Sequence, residues 1–368
     1  MKENKAVGPN LKTYYYYTND MAEHSLVKGV IVLATGSEGS GKLYDEIGDY
    51  LGSKGYALYA IDELGYGKTG EVSKKTGYKN WKKKDGHFAA YNLHALSVLA
   101  KHKHGDAPVY LIGNDFGAML SLYLIKEFPE VIDKVITIGW GKPYLRDYGL
   151  LFSAWLKKIF LYDDGKTKAS HRAKNRAYRF RFERGEKYAW LTSDFDQLNK
   201  IKDAGYIDTE GTIGHYYHYY KFKVKTPMFT FLKKCDKATP ILLVSGDEDL
   251  STVRGRKTEA LKRHLELRRF SNVSTLVVSG RHQLFFESNR FEVVDAILNW
   301  IGNNNEVVVE HNVVEPITVK KEGAVPASEE IIVNNDVIDV EENIENSPVT
   351  ELQEAEDELL ISARKEEK

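Results

Sequence analysis

Val109-Tyr110-Leu111-Ile112-Gly113-Asn114-Asp115-Phe116-Gly117 runs from a strand-like stretch into the start of a helix with almost nothing between. Val109–Gly113 is short, apolar and partly β-branched, which predicts a buried strand. Helical spacing follows from Ala118 to Phe128. A turn this tight strains the backbone of its central residue and needs small neighbours two before and two after. Gly113 and Gly117 meet that need, and Asp115 becomes the residue presented at the helix N-terminus, where the dipole favours an anion.

The same rhythm extends on both sides. Strands are predicted at Val27–Ala34, Tyr56–Ile61, Val135–Gly139, Ile241–Ser245 and Val273–Val278. Helices are predicted at Leu43–Leu51, Phe88–Ala100, Arg256–Leu267 and Phe291–Ile301. Alternating strands and helices imply a doubly wound, mostly parallel sheet with helices on both faces. The alternation stops near Gly141 and resumes after Lys237. The expected organisation is a first core part at 1–140, a helical cap inserted at 141–237, a second core part at 238–302, and a tail at 303–368.

Two later segments complete a set with Asp115. Gly246-Asp247-Glu248-Asp249 ends one strand with a carboxylate, with Asp247 as the rival to Asp249. Ser279-Gly280-Arg281-His282 ends the next strand with a histidine. The order Asp115, Asp249, His282 is the nucleophile–acid–histidine order of the α/β-hydrolase fold.

With these residues in view the chain resembles the monoacylglycerol lipase and lysophospholipase group of α/β hydrolases. The resemblance rests on Val30-Ile31-Val32-Leu33-Ala34-Thr35-Gly36, Tyr44, Gly55-Tyr56-Ala57, Asp62, Gly65-Tyr66-Gly67, the Asp115 turn, Gly246 to Asp249 and Arg281-His282. It covers about Leu26 to Ile301 and is weaker in the insertion. It implies a hydrolase without a cofactor, acting on an apolar or lipid-like ester beneath the cap. By position it implies that the backbone N–H groups of Ser37 and Phe116 form an oxyanion hole. Two departures stand out: Thr35-Gly36 replaces the group's usual His-Gly, and Asp115 replaces its serine.

The aspartate changes which chemistry is plausible. A carboxylate attacking an ester forms an anhydride, which is uphill; at saturated carbon it forms an ordinary ester. The Asp115 turn is similar to that of epoxide hydrolases and haloalkane dehalogenases, where a histidine activates the water that releases the product. Those families often follow the Asp with Trp; here it is Phe116. Tyr178, Tyr188, Tyr206, Tyr216, Tyr217, Tyr219 and Tyr220 are candidate acids for epoxide opening. A binding protein that has kept Asp249 and His282 without catalysis is the third reading.

Other signals exclude more than they include. Gly36-Ser37-Glu38-Gly39-Ser40-Gly41-Lys42 has phosphate-loop spacing, but Leu43 stands where Mg²⁺ needs Ser or Thr. No metal-ligand spacing and no nucleic-acid motif appears. No apolar run reaches the roughly 18–20 residues of a membrane span, and Met1–Asn10 lacks a signal-peptide core. The single Cys235 fits a reducing compartment, so a cytoplasmic location is expected. Net charge is −1, yet residues 303–368 hold 18 Asp/Glu against 5 Lys/Arg, a net −13 that leaves +12 on the rest. The tail is expected to be largely disordered. The basic, aromatic stretch His171, Arg172, Lys174, Arg176, Tyr178, Arg179, Phe180, Arg181, Phe182, Arg184 would suit peripheral contact with anionic lipid.

Overall fold

Val30 to Ala34, Ala57 to Ile61, Val109 to Asn114 and Ile241 to Val244 are buried on both faces, and the chain stacks these runs side by side. Strands that must hide both faces read as continuous apolar runs and pair in parallel beneath helices. The computed structural model describes residues 1–9, 11–36, 39–72, 79–105, 107–167, 181–182, 186–207 and 210–302. The expected acidic tail, Ser37, Tyr178 and most of the basic stretch lie outside the described residues.

The strands are β1 (Lys2–Val7), β2 (Thr13–Thr18), β3 (Gly29–Ala34), β4 (Tyr56–Ile61), β5 (Val109–Asn114), β6 (Lys134–Ile138), the short pair β7 (Lys166–Thr167) and β8 (Gly211–Thr212), β9 (Ile241–Gly246) and β10 (Val273–Val278). The helices are α1 (Asp45–Ser53), α2 (Gly67–Val72), α3 (Asp85–His104), α4 (Phe116–Glu127), α5 (Leu145–Phe160), α6 (Phe195–Asp203), α7 (Ile213–Lys225), α8 (Phe229–Leu232), α9 (Arg256–Leu267) and α10 (Arg290–Gly302). Eight strands form one sheet in the order β1-β2-β4-β3-β5-β6-β9-β10. β4, β3, β5, β6, β9 and β10 pair in parallel, while β2 joins the β4 edge antiparallel and β1 pairs antiparallel with β2. This is the mostly parallel, doubly wound sheet that the strand–helix alternation predicts.

Three features differ from the sequence reading. The β1–β2 hairpin was not anticipated: Thr13-Tyr14-Tyr15-Tyr16-Tyr17-Thr18 has strand propensity but no apolar–polar alternation. The segment at Leu43 opens as a 3₁₀ turn, Gly41–Tyr44, before α1 begins at Asp45. The insertion, expected to lack strands, contains the β7–β8 ribbon, whose two-residue arms are too short to leave a periodic signal. No helix among the described residues is long and apolar enough to cross a membrane.

Two cores sandwich the sheet, one under α3, α4 and α7 and one under α1 and α10. The parallel order brings the C-terminal ends of β5, β9 and β10 to one edge, where a doubly wound sheet places its ligand.

Candidate active site

Asp115 links β5 to α4 with φ 46° and ψ −102°, a left-handed conformation that costs a non-glycine residue. Its N–H donates to Ile138 O at 2.9 Å, which ties the turn to β6. The flanking glycines are required sterically. A Cβ on Gly113 would meet Gly117 O at 2.4 Å, and one on Gly117 would meet Ala34 O at 2.2 Å. The strand–helix approach therefore permits only glycine at these two positions.

Asp249 follows β9 and is fully buried. Its Oδ1 accepts from Ser251 N at 2.7 Å, and its Oδ2 accepts from Ser251 Oγ at 3.0 Å. Burial pushes this carboxyl up, but the His282 charge, the His282 contact and the two Ser251 donors outweigh it and hold it below its ordinary range. The rival Asp247 turns outward and accepts from Gly280 N at 2.9 Å, bracing the loop that carries the histidine.

His282 follows β10 and stands between two carboxylates. Nδ1 lies 3.2 Å from Asp249 Oδ2, and Nε2 lies 3.8 Å from Asp115 Oδ1. Its ring packs 5.2 Å from Trp190. Arg281 secures the loop, donating through Nη1 to Ala189 O at 2.7 Å and to Thr192 O at 3.2 Å. Gln283 N donates to Leu191 O at 2.7 Å. Segment 188–192 is thus fastened to the histidine loop by backbone carbonyls.

Beneath the turn, Asn114 Nδ2 donates to Tyr44 Oη at 3.0 Å and to Gln283 Oε1. Burial pushes the Tyr44 phenol up to about 12, so it stays neutral. Phe116 opens α4, where the first N–H groups have no partner within the helix. Ser37, the other residue expected to supply a backbone N–H, lies outside the described residues. Gly36 runs close by, its Cβ position 3.5 Å from Asp115 Cβ.

The phosphate-like loop is committed elsewhere. Gly41 N donates to Asp62 Oδ1 at 2.6 Å, Ser40 Oγ donates to the same carboxylate at 2.8 Å, and Lys68 N donates to Oδ2 at 2.7 Å. Among the described residues of the loop, Ser40 Oγ and Gly41 N hold a carboxylate. Burial raises the Asp62 carboxyl to about 6 despite these bonds.

Helix α7 of the insertion reaches the turn through an aromatic ring. The Phe116 ring is wholly buried, 4.9 Å from Trp81, 5.8 Å from Tyr66 and 5.7 Å from Tyr219. Tyr66 Oη lies 3.0 Å from His215 Nε2 of α7. Of the tyrosines proposed as acids, Tyr219 packs against Phe116 and Tyr217 packs under Lys158. Burial raises Tyr206 to about 12, in the company of Glu71 and Asp62. Tyr66, His215, Ser251 and Gln283 were missed as site residues. Gly65-Tyr66-Gly67 was the one visible signal among them.

The profile of the serine aminopeptidase S33 family matches residues 25–289, from just before β3 to beyond His282. The chain belongs to this family of α/β hydrolases. Among solved structures, this S33 member is similar to a thermostable carboxyl esterase from Bacillus coagulans in complex with glycerol, with a TM-score of 0.70 and 19% identity over 82% of this chain and 97% of that one. It is similar to a soluble variant of the Saccharomyces cerevisiae monoglyceride lipase in complex with a substrate analog, with a TM-score of 0.61 and 15% identity over 80% and 92% of the two chains. It is also similar to the Paleococcus ferrophilus monoacylglycerol lipase, with a TM-score of 0.56 and 14% identity over 78% and 98%. At these identities the likeness establishes the fold that the S33 member shares with them.

Proposed function

We propose that the chain hydrolyses an apolar or lipid-like ester beneath its helical cap, with Asp115, His282 and Asp249 as the working groups. The observation that carries this is the placement of His282 between the Asp115 and Asp249 carboxylates at the C-terminal edge of the sheet. Esterases and monoglyceride lipases among the similar structures support the substrate class.

The 3.8 Å between His282 Nε2 and Asp115 Oδ1 lets one water contact both groups. In this reading that water attacks the ester carbon while Nε2 takes its proton. The oxyanion accepts from Phe116 N–H and, by position, from Ser37 N–H. Collapse breaks the bond to the alcohol oxygen, which recovers the proton from His282. Asp249 orients the ring and balances its transient charge. The route forms no acyl-enzyme and so avoids the anhydride that direct attack by Asp115 would produce.

Lipid-like substrates fit the end of α5. Ile159, Phe160, Leu161 and Tyr162 are consecutive and exposed, Tyr162 at 92%, beside Lys157 and Lys158. An apolar tip with Lys157 and Lys158 on one side and Asp163 and Asp164 on the other suits contact with a lipid layer through its apolar side chains. Cys235 is buried and free, in keeping with a reducing, cytoplasmic setting.

The carboxylate at position 115 also favours a second reading. Asp115 attacks a saturated carbon of an epoxide or alkyl halide, the C–O or C–halogen bond breaks, and water activated by His282 cleaves the resulting enzyme ester. A substrate panel of p-nitrophenyl esters, monoacylglycerols, styrene oxide and chlorobutane distinguishes the two. Ester turnover without ¹⁸O entering Asp115 supports the first reading; epoxide or halide turnover with ¹⁸O in Asp115 supports the second. No turnover of any substrate leaves a binding protein.

A further inference from the structure

The turn after β9 carries a hydroxyl that the three-residue site does not use. Ser251 Oγ lies 2.9 Å from His282 Nδ1 and 3.0 Å from Asp249 Oδ2, while the direct distance from Nδ1 to Oδ2 is 3.2 Å. Histidine, serine and aspartate therefore form a closed triangle in which the serine makes the shortest contact to the ring. An ordinary turn serine caps its own loop. Ser251 does that with its backbone N–H on Asp249 Oδ1 and in addition reaches across to another segment, 31 residues away.

The backbone holds it there at a cost. Val253, Arg254 and Gly255 are three successive left-handed residues, with φ of 53°, 55° and 80°. Left-handed φ is a genuine outlier for β-branched valine. Bonds from Arg254 N to Asp249 O at 2.7 Å and from Lys257 N to Thr252 O at 2.9 Å close the turn around Ser251. Strain maintained in this way clusters where a side chain must be aimed.

We propose that Ser251 is a positioning residue that couples Asp249 to His282 and fixes the ring with its Nε2 lone pair toward Asp115. The proton count supports this. Ser251 has one hydroxyl proton and two acceptors within reach, and the anionic carboxylate is the stronger. With that proton on Asp249 Oδ2, the atoms facing Nδ1 are both acceptors, the Ser251 oxygen and Oδ2. Nδ1 must then carry the proton of the neutral ring. Nε2 is left bare on the Asp115 side, the form a general base needs. The serine also draws charge from Oδ2, so His282 faces a tempered carboxylate.

The inference rests on the proposed triad, and its test does not require turnover. Full-length protein labelled with ¹⁵N-histidine is titrated by NMR as wild type, Ser251→Ala and Ser251→Thr, with thermal unfolding confirming the fold of each. The groups facing the ring are Asp249 and Ser251 from the turn, Asp115 from the β5–α4 turn and the non-titrating Trp190, with Lys257 of α9 acting on Asp249 from outside. Wild type should show the Nδ1–H tautomer at high pH. Ser251→Ala should move the His282 midpoint upward by about half a pH unit, because Oδ2 loses its donor and favours the imidazolium more strongly. Ser251→Thr should restore the wild-type curve. An unchanged midpoint in Ser251→Ala, or an Nε2–H tautomer in wild type, overturns the proposal. Should ester turnover be found, Ser251→Ala should lower kcat about tenfold with KM little changed. If no substrate turns over while the NMR result holds, the catalytic reading fails and the positioning role stands.

Discussion

His282 Nε2 faces Asp115 Oδ1 at 3.8 Å, on the ring edge opposite Asp249. The separation is longer than a hydrogen bond and spans two groups able to direct one water molecule. Asp115→Asn keeps the shape and removes the charge. Ester turnover should then fall at least about a hundredfold, within the range for loss of a group acting directly on the reacting atoms. Asp115→Ser should convert the mechanism: the hydroxyl would attack through His282 and show a burst of p-nitrophenol as acyl-enzyme accumulates. Stopped-flow release from p-nitrophenyl butyrate checks both, and a burst already present in wild type would contradict the water route.

The raised carboxyl of Asp62 has a defined sign. Its folded value of about 6 exceeds the ordinary 3.8, so its contribution to stability is complete below about pH 4 and is lost as pH rises through 6. The loss is at most about 3 kcal/mol. Urea unfolding of wild type and Asp62→Asn at pH 4.5 and 7.5 should show a steeper decline with rising pH in wild type. Equal slopes would assign the pH dependence elsewhere.

Glycines at the turn and in the cap should respond in opposite directions. Gly117→Ala places a methyl 2.2 Å from Ala34 O and should cost about 3 kcal/mol or more, since neither backbone can yield. Gly149, inside α5, has nothing within 4 Å of its Cβ position. Gly149→Ala should stabilise the protein by about 0.5–1 kcal/mol through helix propensity. Denaturant midpoints measure both.

Asp147 is buried with Lys223 Nζ at 2.9 Å and Lys257 Nζ at 3.8 Å, joining helices α5 and α7 to helix α9. Burial lowers the Lys257 amine to about 8, with Asp147 opposing the shift. Asp147→Ala leaves two buried or half-buried cations facing each other and should cost about 3–5 kcal/mol. Calorimetry should show a clear fall in Tm at pH 7, smaller at pH 9, where Lys257 sheds its charge.

The central strands were legible because they are apolar on both faces; strands Tyr56–Ile61 and Val273–Val278 and helix Arg256–Leu267 have the same bounds in sequence and structure. Asp115, Asp249 and His282 were visible because each closes a strand. Ser251 and the Tyr66–His215 pair were not, because their roles depend on contacts between segments 31 and 149 residues apart. The sequence reading favours Asp249 over its rival Asp247; both follow β9, and the turn of the backbone sends Asp247 outward and brings Asp249 to 3.2 Å from His282 Nδ1.

Phe116 supplies the first turn of the helix behind Asp115 and, with the same side chain, the floor on which α7 rests. Lifting α7 to admit a substrate would wet the Phe116 and Tyr219 rings together. Exposing one such ring costs about 2–3 kcal/mol, so exposing both costs about 4–6 kcal/mol and the unlatched form would make up about 0.1% of molecules or less. Measured affinity would be weakened by that fraction. A ligand bringing its own apolar surface to those rings would recover the loss, and selectivity for greasy substrates would arise from the latch before any pocket contact is counted.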